Sequence, residues 1–388
     1  MKRLLIPLCL AFSLLGQTGS LLERADDAFR QGDFDRAATL ARQALAQTPG
    51  AVHGHMILGV IAAQKNQWDV SNRHFETVVR LEPTNPHGYF YLGQAKLYQQ
   101  QWDQAIQYFT KALELDYPDR ERLLIETAFA QNEAGRPQQA LSNLSGIAAP
   151  ADPRLAAQYH AVTAFAEGKL NQHAAAIEAI RRAMQVDDAS SHYWNFLIGE
   201  LLQADQNPQA LAEAIRAQKK FPDHPDIQFL FALASYHVSE SPLSGLALRN
   251  LREADPDSPR VLLAEGLLYR KQGKNEEATA AFRRAAERGV PDAHLLLGIV
   301  YGENGEYEAA EREFRAAEKL TPQNGQVLLE MGKLFVARGE LEQARIRLEK
   351  AAEYMPDAPA VHYQLGLLYR RLGQLEKAEY HLRLFKQP

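Results

Sequence analysis

The chain has 388 residues, of which 46% are hydrophobic and 23% are charged, and its formal net charge is −5. This balance is typical of a folded, soluble protein and argues against a disordered chain. A pI of about 6.2 argues against a nucleic-acid-binding protein, for which a basic surface and a high pI are expected.

The first predicted element is a secretory signal peptide over residues 1–19. Lys2 and Arg3 precede an apolar run over 4–15, and small and polar residues follow over 16–20, which is the order of segments in such signals. The apolar run is too short to cross a bilayer, for which about twenty residues are needed. An uncleaved apolar first helix is the alternative, and the cleavage site stays open because no clean A-x-A motif precedes it.

The only cysteine, Cys9, lies inside this apolar run. A bacterial lipoprotein signal also ends in cysteine but needs small residues just before it, so the bulky tripeptide 6–8 disfavours lipidation. Loss of the signal, with Lys2 and Arg3, would change the net charge from −5 to −7 and leave no thiol for disulfides. Such a chain would be exported, to a periplasm or cell envelope or into the medium. No later segment is long and apolar enough to predict a membrane span.

The next segment, residues 20–119, is predicted to consist of repeats. Residues of the same type recur 34 positions apart: Pro49 and Pro83, Gly59 and Gly93, Trp68 and Trp102, Phe75 and Phe109. A fixed period of this length indicates units that stack in one dimension.

The signature is weaker over residues 120–258, although Pro222 and Pro256 keep the spacing of 34. Residues 239–245 read Ser-Glu-Ser-Pro-Leu-Ser-Gly where an alanine-rich helix would be expected to begin. We interpret this segment as degenerate repeats, and divergence of this kind can also mark a separate function.

The signature is clearest over residues 259–388. One copy contains His294, Leu297, Gly298, Tyr301, Gly305, Tyr307, Ala310, Phe314 and Pro322, and two further copies follow at the same spacing. The unit before it is shorter, since Gly266 and Gly298 are only 32 residues apart. About eleven units are expected between residue 20 and the end.

Each unit is predicted to be an antiparallel helix pair. Leu365, Gly366 and Tyr369 share one face of a first helix, which Gly373 ends because glycine tolerates a left-handed C-cap. Glycine inside a helix costs about 1 kcal/mol, so its recurrence predicts a close helix crossing at residues 59, 93, 298, 332 and 366. Proline ends the second helix, at residues 49, 83, 322 and 356. On this register Phe314 and Leu348 belong to the core.

These residues at this spacing resemble the tetratricopeptide repeat family, and the resemblance covers nearly everything after residue 19. It implies an all-α, right-handed superhelical α-solenoid of about eleven helix-turn-helix repeats, with a concave groove lined by the first helix of each pair. The predicted peptide-binding groove contains His87, Phe90, Gln94, Tyr98, His192, Asn195, Phe229, Tyr236, Arg270, Lys271, Tyr363, Arg370 and Arg371. One branch of the family clamps a partner's C-terminal carboxylate with lysines and asparagines at these slots, and the mostly apolar and aromatic residues here do not predict that activity.

No catalytic or cofactor motif is found in the sequence. The metalloprotease H-E-x-x-H, the G-x-S-x-G elbow, the P-loop and the dinucleotide-binding glycine fingerprint are all missing, so we expect neither an enzyme nor a cofactor. His53 and His87 occupy equivalent slots beside His55, yet zinc needs three or four ligands and no third one is evident. No metal site is predicted.

The sequence therefore predicts a non-enzymatic scaffold that binds partner peptides or helices, for assembly in a bacterial cell envelope. An enzyme-associated module with its function in the middle repeats is one alternative. A polysaccharide-export helper is another, weakened because Trp68 and Trp102 occupy slots between helices rather than exposed ones. A homodimer through the C-terminal end is also possible, unless Arg383 and Lys386 make that end polar enough to stay in water.

Overall fold

A computed structural model describes residues 21–238, 244–254 and 258–386. The predicted signal peptide, Cys9, and residues 239–243 of the 239–245 turn lie outside the described residues. Within the described ranges the chain forms 22 α-helices and no strand, as expected of an all-α repeat protein. The chain divides into two compact units at the Tyr193–Trp194 bond.

The first unit contains ten complete helices. They are α1 (Leu21–Arg30), α2 (Phe34–Gln47), α3 (Val52–Gln64), α4 (Trp68–Leu81), α5 (Pro86–Tyr98), α6 (Trp102–Glu114), α7 (Arg120–Glu133), α8 (Pro137–Ser145), α9 (Pro153–Lys169) and α10 (His173–Val186). The boundary between the units falls within α11 (Ser191–Gln203).

The second unit contains the remaining helices. They are α12 (Asn207–Lys220), α13 (Pro225–His237), α14 (Ser244–Ala254), α15 (Pro259–Lys271), α16 (Asn275–Glu287), α17 (Pro291–Glu303), α18 (Tyr307–Leu320), α19 (Gly325–Ala337), α20 (Leu341–Tyr354), α21 (Pro359–Arg371) and α22 (Leu375–Lys386).

Odd-numbered helices are the first members of the helix pairs. In the first unit, α1, α3, α5 and α7 each contact the next first helix, and these helices and α9 each pack against their own second helix. The same two kinds of contact join α17, α19 and α21 in the second unit. This arrangement confirms stacked helix pairs, and 22 helices agree with eleven repeats.

The repeat glycines are the points of closest approach within a pair. A Cβ atom on Gly59 would lie 2.7 Å from the ring of Phe75, and one on Gly298 would lie 2.4 Å from Phe314. The same relation, sixteen residues apart, holds for Gly93 and Phe109, Gly266 and Phe282, Gly332 and Leu348, and Gly366 and Leu382. The close crossing predicted from glycine recurrence is therefore confirmed, and Gly266 belongs to the same set.

The turn inside a helix pair also repeats in the ten pairs whose turn the structure describes. Its central residue has a positive φ, which glycine adopts without strain. Glycine occupies it at residues 32, 135, 273, 305, 339 and 373, while Asn66, Gln100, Asn171 and Asp205 hold the same conformation with a side chain. The turn continues at Gly135, Asn171 and Asp205 through the segment where the sequence signature is weak.

The middle repeats keep a core but distribute its volume differently. Ala128 and Leu144 are buried sixteen residues apart, in the slots that glycine and phenylalanine fill elsewhere. In the second unit the order is reversed, because Ile198 is the large residue and Ala214 the small one. A small residue facing a large one satisfies the packing whichever helix carries it, so the pattern of residue types is lost while the fold remains.

Proline follows second helices, as predicted, and it also begins several first helices, which was not predicted. Second helices end just before Pro49, Pro83, Pro322 and Pro356. Six first helices also begin with proline, whose missing N–H costs nothing in the first turn, as at Pro86 in α5 and Pro359 in α21. Phe314 and Leu348 are buried in the second unit, 2% and 0% exposed, which confirms the core register.

Candidate functional site

We use the term first-helix face for the surface that the adjacent first helices present in each unit. In the first unit, His87 and Phe90 of α5 were predicted to line it. The ring of Phe90 stacks on Tyr117 with centroids 4.4 Å apart, and Phe90 is only 1% exposed. His87 meets the edge of the same tyrosine at 5.2 Å, and burial lowers its pKa. Phe90 is therefore a packing residue and offers no surface to a partner, because Tyr117 covers it.

Gln94 belongs to a polar network that the sequence did not reveal. Its Nε2 donates to both carboxylate oxygens of Glu126, at 2.8 and 3.0 Å, and Arg122 Nε donates to the same carboxylate at 3.1 Å. Burial raises the pKa of Glu126 although Arg122 and Gln94 oppose the shift. The i, i+4 spacing of Arg122 and Glu126 was the available signal, but the spacing alone does not place them against α5. Gln94, 5% exposed, is an internal linker between first helices.

Tyr98 ends α5 and contacts the preceding repeat. Its ring stacks on Trp68 at 4.8 Å with an angle of 15° between the planes, and burial raises its pKa. One face of this tyrosine is thus used for packing between repeats, which confines any contact with a partner to the other face and the hydroxyl group.

His192 and Asn195 both lie on α11. The side-chain oxygen of Asn195 is buried and has no hydrogen-bond partner among the described residues. A buried acceptor of this kind is costly to leave unpaired. Of the residues predicted on α11, Asn195 is thus the one with unused hydrogen-bonding capacity.

A cavity of about 460 Å³ opens in the second unit beside the ends of α13 and α15. It brings together three of the predicted groove residues. Its lining consists of Tyr236, His237, Arg270, Lys271, Asn275 and Glu303. Burial lowers the pKa of His237, so this imidazole is neutral at neutral pH.

The two cations of the cavity already have partners within the chain. Arg270 donates to Glu303 from Nη2 at 2.5 Å and from Nε at 3.3 Å, and this hydrogen bond raises the pKa of Arg270. Lys271 donates to the carbonyls of Tyr236 and, at 2.8 Å, of Val238, which caps the end of α13 where helix carbonyls attract positive charge. The predicted basic patch is thus neutralised here by a carboxylate and by carbonyl oxygens, and the cavity is polar rather than strongly cationic.

A similar cap occurs in the first unit. Lys169, the last residue of α9, donates to the carbonyl of Asn132 at 2.5 Å, near the end of α7. Lys271 is likewise the last residue of α15. Lysine at this slot therefore links consecutive first helices, a role that sequence spacing did not disclose.

The remaining predicted residues differ in exposure. The ring of Phe229 lies under the Arg260 guanidinium, 5.9 Å from it. Tyr363 is 40% exposed, with its ring 5.0 Å from Phe385. Arg370 and Arg371 are exposed at the end of α21. The last repeat thus presents an aromatic and basic surface.

The histidines do not gather into a metal centre in the part of the chain that the structure describes. His53 pairs with Asp26 at 2.7 Å, whereas His55 contacts His74, and no three potential ligands come together there. In the same ranges no helix is both long and apolar enough to cross a membrane.

Comparison with known proteins identifies the repeat. Models described as "Tetratricopeptide repeat" match residues 22–86, 263–325 and 86–119, and one described as "TPR repeat" matches 332–373. No curated protein matches the chain in sequence.

Solved structures share the fold at low sequence identity. Yeast Tom70 aligns with a TM-score of 0.54 at 12% identity, covering 94% of this chain and 90% of that chain. The APC/C hetero-tetramer Cut9-Hcn1 aligns with a TM-score of 0.51 at 12% identity, covering 96% and 88%. A tetratricopeptide repeat protein from Parabacteroides merdae aligns with a TM-score of 0.57 at 15% identity, covering 64% and 98%.

Proposed function

The chain belongs to the tetratricopeptide repeat family, and from this premise we propose that it holds an extended peptide or a helix of a partner protein on its first-helix face. Stacked repeats of this family form protein-interaction scaffolds, and this chain is built in the same way. The observation that carries the proposal is the surface of the second unit, where the cavity beside Tyr236 and the exposed Tyr363 lie on first helices. Aromatic residues and arginine are the types most often responsible for binding energy at interfaces.

The contacts of the first unit favour apolar over ionic recognition. Gln94, Arg122 and Glu126 satisfy one another, so a charged partner would have to break these bonds and pay the cost of an unpaired buried charge. The middle repeats keep a buried core and, at Gly135, Asn171 and Asp205, the turn of the other repeats, so the described part of this segment supports a scaffold. A scaffold without catalysis is the function best supported.

Site-specific crosslinking tests this proposal. A photo-crosslinking residue at position 236 or 363 is expected to capture a protein from cell-envelope extract, whereas one at Ile346, which is 56% exposed on the second helix α20, is expected to capture little. The double substitution Tyr236→Ala, Tyr363→Ala should weaken capture roughly tenfold or more, as for loss of interface anchors. Equal capture at all three positions would contradict the proposal.

We also propose that the scaffold acts in the cell envelope after export. The support is the order of charged, apolar and small residues over 1–19. In cell fractionation the full chain should be found in the envelope or periplasmic fraction, with an N-terminus near residue 20 by mass spectrometry. Leu8→Arg, which interrupts the apolar run, should retain it in the cytoplasm. A wild-type chain found only in the cytoplasm with residues 1–19 intact would contradict export.

A second copy of the chain is proposed as a further partner, bound at the last repeat. Tyr363 and Phe385 are 40% and 39% exposed, whereas Leu329 and Ala351, 34 positions earlier, are 3% and 0% exposed. The last repeat therefore exposes the slots that the preceding repeat buries. Analytical ultracentrifugation should show a dimer that Phe385→Asp dissociates and Ile346→Asp does not. A wild-type chain that stays monomeric at high concentration would contradict this second proposal and leave the first untouched.

A further inference from the structure

Two repeats place a pair of histidines in the same arrangement. His55 of α3 and His74 of α4 approach with their Nδ1 atoms 3.0 Å apart. His362 of α21 and His381 of α22 do the same at 3.1 Å. In both pairs the partners are nineteen residues apart in sequence. Each pair joins the two helices of one repeat, next to the close crossing at the repeat glycine.

The proton positions follow from the surrounding acceptors. Nε2 of His55 lies 3.0 Å from the carbonyl oxygen of Pro49, and Nε2 of His362 lies 2.6 Å from that of Pro356. A carbonyl oxygen can only accept, so each Nε2 carries its hydrogen. A neutral imidazole has one N–H, which leaves Nδ1 of His55 and of His362 as an acceptor. The second-helix histidine must therefore donate from its own Nδ1.

The first and the second proton that bind such a pair have different effects on its hydrogen bond. A first proton can bind Nε2 of the second-helix histidine, and the Nδ1–H···Nδ1 bond survives. A second proton has to occupy Nδ1 of the first-helix histidine, which is the acceptor. The bond is then lost, and two imidazolium rings whose centroids are 5.3 Å apart repel each other.

We propose that these two histidine pairs are acid-sensitive latches, which hold the two helices of their repeats together at neutral pH and release them in acid. Release of a latch affects the packing between the two helices. His74 precedes Phe75 and His381 precedes Leu382, and these two residues pack on Gly59 and Gly366. Loss of the bond weakens the repeat at its tightest crossing.

The charges around the two latches differ. Burial, then His55, Arg73 and Arg42, lower the pKa of His74 to about 4. Burial, His362 and Lys377 lower the pKa of His381, while Glu349 raises it. Tyr369 stacks on His381 at 5.6 Å and adds no charge at neutral pH. The C-terminal latch, which has a carboxylate nearby, should therefore open at a higher pH than the N-terminal one.

A third repeat provides an internal control. His294 of α17 occupies the slot of His55 and His362, but its Nδ1 faces Glu313 Oε2 at 2.8 Å. Protonation of His294 would turn this contact into an ion pair. Acid should therefore leave the junction of α17 and α18 closed while it opens the two latches.

Hydrogen exchange measured between pH 7.5 and 4.5, corrected for the intrinsic rates, tests the latches on the full chain. In this range, protection of α21/α22 is expected to fall at least tenfold more than that of α17/α18, and protection of α3/α4 is expected to fall only when the pH is taken below about 4. The double variant His74→Gln, His381→Gln places an amide opposite each first-helix histidine, and this amide can donate to a neutral Nδ1 and accept from a protonated one. Protection of the variant should therefore change with pH as α17/α18 does. A uniform loss of protection, or the same loss in the variant, would overturn the proposal.

Two further measurements keep the test decisive if the variant folds poorly. Nitrogen-15 NMR of the wild-type imidazoles at neutral pH should show the hydrogen on Nε2 of His55 and His362 and on Nδ1 of His74 and His381. The opposite tautomers would overturn the proposal. So would added Zn²⁺ or Cu²⁺ that slows exchange of α3/α4 and α21/α22, because the pairs would then be two-histidine metal sites. Exchange that is unaffected by these ions is the expected result.

Discussion

Gly298 and Gly302 lie one helical turn apart in α17, yet a methyl group would meet different surroundings at each. At Gly298 the new Cβ would be 2.4 Å from the Phe314 ring, whereas at Gly302 the nearest atom is 4.0 Å away. Gly298→Ala should therefore destabilise the fold by about 1–3 kcal/mol through overpacking. Gly302→Ala should be neutral or stabilise it by up to about 1 kcal/mol, because alanine favours a helix. Urea unfolding of both variants checks this, and equal effects would contradict the crossing.

Gln100 is a residue with a side chain in a turn that favours glycine. Its φ is +59°, a conformation that costs an L-residue about 1–2 kcal/mol. Gln100→Gly should stabilise the chain by about 0.5–1 kcal/mol after the greater freedom of glycine in the unfolded chain is subtracted. The neighbouring Gln101 has a φ of −91°, so Gln101→Gly should destabilise slightly. Thermal melts of the two variants should shift in opposite directions, and a shared direction would show that the turn carries no strain.

Two residues of helix α20 allow a core position to be compared with a surface position. Leu348 is 0% exposed and Ile346 is 56% exposed. Leu348→Ala should cost about 2–5 kcal/mol, the range for large-to-small changes in a core. Ile346→Ala should change stability by no more than about 0.5 kcal/mol. Denaturant midpoints of the two variants measure the difference, and overlapping curves would mean that the helix register is wrong.

At the scale of helices, the sequence predicts the features that are determined by a repeated pattern of residue types. The turn glycines, the prolines after second helices and the close crossing at Gly298 all follow from a period of 34 residues. The sequence does not predict hydrogen bonds whose acceptor is a backbone carbonyl. Every residue has such a carbonyl, so the residue type at the acceptor position gives no signal. The cap that Lys271 places on α13 is such a contact, and it turns an expected groove cation into a structural one.

The candidate surface was less predictable than the fold for a related reason. Phe90 has the correct slot for the first-helix face, but Tyr117 from the loop after α6 covers it. Tyr117 lies outside the regular helix pattern, so no periodicity indicates its position. Exposure on a repeat protein is set by such irregular residues, whereas burial between helices is set by the repeat itself.

At the scale of the whole molecule, the stability of a stack of repeats is a sum of many small local contributions, and five histidines contribute in one direction. Burial is the largest cause of a lowered pKa at each of His74, His87, His160, His237 and His381. Because the folded pKa lies below the unfolded value of about 6.5, the unfolded chain binds more protons in the window between them. The contribution of these histidines to stability is therefore fully present above pH 6.5 and is lost as the pH falls through their folded pKa values.

Carboxylates of lowered pKa do not offset this loss between pH 7 and 5, whereas Glu126 and Glu167, whose pKa burial raises, act in the opposite direction. Glu311, whose pKa is lowered chiefly by its hydrogen bond to Arg315, stays ionised in both states there, so its contribution is constant until the pH falls towards its unfolded value. The free energy of unfolding in urea should fall from pH 7.5 to 5.0 by an amount on the order of 1 kcal/mol after solvent screening, with an unchanged slope. Measurements at half-unit steps check the sign, and a free energy of unfolding that stays level or rises on acidification would contradict the prediction that the histidines dominate.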